Sequence, residues 1–117
     1  MRTSEIRDRF GISLQLNSID ESRAEKKFDF VIKSKSALFA IEVNFYSGGG
    51  SKLNETARSY KMLAIETNKI DGFEFVWITD GKGWNSAKRN LEETFDVLEH
   101  IYNINDLEKG ILNKITK

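Results

Sequence analysis

Two short apolar runs, each interrupted by a carboxylate, constrain this chain most: Phe28-Asp29-Phe30-Val31-Ile32 and Leu38-Phe39-Ala40-Ile41-Glu42-Val43-Asn44-Phe45-Tyr46. Their length and their content of β-branched and aromatic residues make them strands. Side chains two apart on a strand share a face. Glu42 and Asn44 therefore point the same way, and Phe39, Ile41, Val43 and Phe45 form an apolar opposite face. A hairpin turning at Lys35-Ser36 sets Asp29 opposite Glu42; a slip of two residues sets it opposite Asn44. Either register gathers two carboxylates and an amide in one patch. Charge is costly in a buried sheet unless it is compensated. An all-oxygen patch suits a hard divalent cation. The structural alternative is a pair of carboxylates at a sheet rim, facing water.

The order of elements after this hairpin sets the fold class. Ser47-Gly48-Gly49-Gly50 breaks the chain. Residues 53–68 then read as a helix, with Leu53, Ala57, Tyr60 and Ala64 at helical spacing and Ser51 or Asn54 as N-cap. Residues 73–79 are a third apolar strand, and a crossover of this length makes it parallel to residues 38–46. Asp80-Gly81-Lys82-Gly83-Trp84 is a loop at its carboxyl end, and Trp84 reads as a core cap. Ala87, Leu91, Phe95, Leu98 and Ile101 or Tyr102 mark a second strong helix, with His100 near its end. A weaker helix covers about residues 106–115, with Gly110 against it. Residues 4–10 read as a short helix stopped by Gly11, and residues 17–27 as a polar connection. The expected architecture is α/β: one domain over residues 1–117, with a mixed β-sheet flanked by helices.

Composition removes several functions. The 117 residues contain no Cys and one His, which excludes disulfides, thiolate metal sites and multi-His zinc sites. Eighteen basic residues balance eighteen acidic ones, so nucleic-acid binding would have to rely on local charge such as Lys82, Lys88 and Arg89. No apolar run approaches the ~18 residues of a membrane span. The segment Ser47-Gly48-Gly49-Gly50-Ser51-Lys52 lacks the spacing of a nucleotide phosphate loop. It reads either as a plain connection or as an amide cradle for a DNA phosphate at a helix N-terminus. Lys52 lies there, and Arg58 and Lys61 follow on the helix, either as solvated charges or as groove contacts.

An Asp on one strand followed by Glu-x-x on the next resembles the PD-(D/E)xK nuclease site, with Asn44 where lysine is usual. The likeness extends through Asn44-Phe45-Tyr46, Gly50-Ser51-Lys52-Leu53-Asn54-Glu55 and Phe75-Val76-Trp77-Ile78-Thr79-Asp80 to Ile101-Tyr102-Asn103-Ile104. Over about residues 27–108 the chain resembles the DpnII/MboI-type type II restriction endonucleases. The resemblance implies a restriction-endonuclease-like core and Mg²⁺-dependent cleavage of double-stranded DNA at unmethylated GATC. It also implies a homodimer on a palindromic site, in the cytoplasm of a bacterium or archaeon. Carried over by position, Asp29 and Glu42 hold Mg²⁺ with help from the Val43 carbonyl. Asn44 takes the third motif position, where it would orient water, and Lys52 is the candidate for the displaced lysine. Gly50, Ser51, Lys52, Asn54, Arg58, Tyr60 and Lys61 fall in the DNA-binding signature. Members of the family are usually more than twice this long. The chain is therefore expected to be the catalytic region, completed by an N-terminal portion or a separate subunit. The competing expectation is a catalytically silent DNA-binding or subunit-assembly fragment.

Overall fold

The computed structural model describes residues 1–12, 14, 27–45, 51–81 and 88–116, with the backbone alone at 51, 52 and 88–90. Its centre is a four-stranded mixed sheet in sequence order. β1 (Phe30–Lys33) runs antiparallel to β2 (Leu38–Phe45), and β2 pairs in parallel with β3 (Phe73–Asp80). β3 pairs in parallel with β4 (His100–Tyr102). The hairpin takes the first of the two registers, with Phe30 against Ile41 and Lys33 against Leu38. Ser34 closes it: its Oγ accepts from the Ser36 and Ala37 amides at 3.3 and 3.2 Å.

β2 is near-continuously apolar because both its faces are covered. Leu38 and Ala40 join Phe73, Phe75 and Trp77 in a core with Ile6, Leu53, Ala57, Leu63 and Ala64. These last residues come from α1 (Thr3–Phe10) and α2 (Ser51–Thr67). Phe39, Ile41, Val76 and Ile78 form the opposite core, against Leu112 and Ile115 of α5 (Ile111–Ile115). α3 (Lys88–Phe95) is fastened to α2 where Thr94 Oγ1 donates to the Ala57 carbonyl at 3.3 Å.

The expected helix over residues 87–102 is shorter than its spacing suggested. It ends at Phe95, where the Val97 and Leu98 amides both donate to the Thr94 carbonyl, at 3.1 and 2.8 Å. Residues 100–102 leave as a strand, because Ile101 finds a rung beside Trp77. His100 is therefore a strand residue and not a helix end. The weak helix over 106–115 is two helices, α4 (Ile104–Glu108) and α5, divided at Gly110 with φ 83°. Ser51 is the first residue of α2 and Asn54 lies inside it, so neither stands before the helix as an N-cap. The expected connection over most of 17–27, the glycine break and Trp84 lie outside the described residues.

α1 stops as expected. Gly11 adopts φ 69°, and its amide donates to the Arg7 carbonyl at 2.9 Å. A Cβ there would meet nothing within 4 Å, so the cost of a side chain is that of the backbone conformation alone. Gly11→Ala should lower stability by about 1–2 kcal/mol, measured by urea unfolding.

Candidate metal and DNA site

The β1–β2 ladder ends one residue short of Asp29, where the chain bends. The side chain takes over from the ladder there. Asp29 Oδ2 accepts from the Val43 amide at 2.9 Å. That amide belongs to the peptide joining Glu42 to Val43, so the Asp29 carboxylate is held against β2 beside Glu42. Asp29 is exposed, whereas Glu42 is buried, at 5% exposure. Glu42 Oε1 accepts no hydrogen bond, although the residue is engaged elsewhere. Strand alternation puts Glu42 on the α2 face with Ala40 and Asn44, beside Trp77 in the parallel register. One carboxylate is thus open to solvent and the other is set into the sheet. Two carboxylates with a neighbouring main-chain carbonyl make a hard oxygen donor set, which fits Mg²⁺.

Asn44 is tied on both sides of its amide. Its Oδ1 accepts from Trp77 Nε1 at 2.7 Å, and its Nδ2 donates to the Tyr60 hydroxyl at 3.1 Å. Tyr60 stands edge-on to Trp77 and to Phe75, with centroids 4.8 and 5.5 Å apart. The third motif position therefore joins β2, β3 and α2. A neutral amide can do this because it donates and accepts at once. Nothing in the sequence spacing pointed to the network, whose members lie 16 and 33 residues from Asn44.

The DNA-binding candidates spread along α2. Ser51 and Lys52 are its first two residues, described by backbone alone, and Gly50 lies outside the described residues. Asn54 is half-buried and Arg58 exposed. Lys61 Nζ lies 3.6 Å from Glu93 Oε2, an ion pair between α2 and α3. Asp80 is structural: its Oδ1 accepts from Gly81 N–H at 2.8 Å and its Oδ2 from Ile104 N–H at 3.1 Å, fixing the start of α4.

A carboxylate pair on a mixed α/β sheet does not by itself name a reaction, and comparison with known proteins narrows it. The family model for the DpnII restriction endonuclease matches residues 1–114, and the chain belongs to that family. It is 58% identical over 112 residues to "Type II restriction enzyme DpnII" of Streptococcus pneumoniae, covering 96% of this chain and 38% of that protein. It is 51% identical over 79 residues to "Type II restriction enzyme MboI" of Moraxella bovis, covering 68% and 28%. A third relative, "Type II restriction enzyme MjaIII" of Methanocaldococcus jannaschii, is 43% identical over 113 residues, covering 94% and 37%. The chain thus spans less than half the length of these relatives. No solved structure matches it significantly. Among the described residues no helix is long and apolar enough to cross a membrane.

Proposed function

We propose that this chain is the catalytic region, with its core over about residues 27–108, of a site-specific endonuclease that hydrolyses double-stranded DNA. The observation that carries the reading is the Asp29 carboxylate bonded to the Glu42–Val43 peptide, beside the buried Glu42. The core is read as restriction-endonuclease-like, of the PD-(D/E)xK type. Asp29, Glu42 and the Val43 carbonyl hold Mg²⁺. When bound, the ion polarises the scissile phosphate and lowers the pKa of a coordinated water. The amide at Val43 keeps Asp29 turned toward β2. Asn44 holds the strand end rigid through Trp77 and Tyr60. Lys52 and the first amides of α2 receive a phosphate, as helix N-termini do. Arg58 is exposed for a groove contact; Lys61 reaches DNA on leaving Glu93. The GATC target, preference for unmethylated DNA and homodimeric assembly rest on family resemblance, as does a cytoplasmic setting.

The test is incubation with a GATC-containing duplex and Mg²⁺. The expected products carry 5′-phosphate ends at that site, and chelation abolishes them. Cutting that persists unchanged in Asp29→Ala would remove this residue from the reaction. A second reading, a silent fragment that binds DNA or another subunit, is favoured by Asn44, a neutral amide at the position where lysine is usual, held by Trp77 and Tyr60. It predicts a retarded duplex with no scission, even in Mn²⁺.

A further inference from the structure

Another group of potential ligands lies at the other end of the sheet, on its other face. Glu74 is the second residue of β3 and pairs with Phe39; Glu42 pairs with Trp77, three rungs further along. His100 opens β4 opposite Val76, on the face that packs against α5. Glu99 precedes it. One ligand atom from each of Glu74, Glu99 and His100 lies within 4.8 Å of the other two. The three line an open depression of about 350 Å³, floored by Ala37 and Phe39.

The histidine is oriented as a ligand would be. Its Nδ1 lies 2.7 Å from the Tyr102 hydroxyl, and its ring meets Phe39 edge-on at 6.1 Å. Nε2 is thereby presented to Glu74 Oε2, 3.7 Å away. That gap is too long for a hydrogen bond. The His100 side chain is 13% exposed, so the ring is held within the fold while its reactive edge meets the depression. The Tyr102 hydroxyl can accept from an Nδ1–H, and the tautomer that makes this bond leaves the Nε2 lone pair for a cation. Among the described residues neither Glu74 nor Glu99 is paired with a lysine or arginine.

We propose that Glu74, Glu99 and His100 form a second cation site, selective for a borderline divalent ion such as Zn²⁺ or Co²⁺. One imidazole nitrogen and two carboxylate oxygens suit these ions, whereas Mg²⁺ takes oxygen alone. The site is independent of the endonuclease reading, and its test needs no DNA. The chain has a single histidine, so its ring resonances report this site unambiguously. Titration with Zn²⁺ should shift them with 1:1 stoichiometry, and Co²⁺ should give visible absorption. Glu99→Gln changes an exposed side chain, so the variant is expected to fold, and it should weaken Zn²⁺ at least about tenfold. Glu74→Gln should do the same, and His100→Ala should abolish binding. Asp29→Ala and Glu42→Gln should leave it unchanged. Histidine resonances unmoved at saturating Zn²⁺ would overturn the proposal. So would binding that both glutamine variants leave intact, since that is adventitious capture by one imidazole.

Discussion

Glu42→Gln should abolish metal-dependent cleavage while leaving the metal-free protein folded. The substitution keeps the shape of a side chain set into the sheet at 5% exposure and removes its charge. In the proposed reading that charge holds the ion. A bound cation supplies several kcal/mol of charge stabilisation in phosphoryl chemistry. Each ~1.4 kcal/mol is a tenfold change in rate, so removing one of two carboxylates should cost about 10³-fold or more. Calorimetry with Mn²⁺ separates the effects. Wild type should gain about 2.7 kcal/mol of stability at a hundred times its dissociation constant, and Glu42→Gln should gain nothing. A variant that keeps the metal-induced shift would show that the ion is held elsewhere. A variant that melts lower without metal would show that the carboxylate supports the fold.

Glu42 stood out in the sequence because its charge follows the apolar run of residues 38–41, which the sheet buries, whereas β1 beside Asp29 is only partly covered. The hairpin was legible only to within two registers. A slip of one residue would turn Phe39 and Ile41 away from their core, so burial excludes it, but burial does not choose between pairings two residues apart. The same logic failed after Phe95. Leu98 and Ile101 are three apart, a spacing that both a helix and a turn followed by a strand can bury. What decides is β3, whose edge offers a rung to a strand of only three residues. That is a tertiary effect, absent from local spacing. The mistaken helix also hid Glu99 and His100, which approach Glu74 only because residues 100–102 pair with β3. Asn44 is the subtler case. Its position suggested a place in the chemistry, but its partners come from another strand and a helix, and no period in the sequence connects them.

Trp77 is where the fold and the proposed site depend on the same side chain, and Trp77→Ala should be the most destabilising single change here. The residue is completely buried in the core shared by α1, α2 and the sheet. Truncating an aromatic side chain of this kind costs about 3–5 kcal/mol. The change also takes away the Nε1 donor that Asn44 Oδ1 accepts and the ring against which Tyr60 stands. Total stability for a domain is about 5–15 kcal/mol, so the variant should lie near the edge of folding. The melting temperature should fall by at least about 10 °C, followed by circular dichroism. Trp77→Phe distinguishes packing from hydrogen bonding. It keeps a ring in the core and leaves Asn44 without its donor, at a cost of about 1–3 kcal/mol. Because Trp77 lies beside Glu42 in the register, the phenylalanine variant should fold yet bind Mn²⁺ more weakly. Unchanged Mn²⁺ affinity in that variant would mean that the Trp77–Asn44–Tyr60 network supports the sheet alone and does not position the carboxylate beside it.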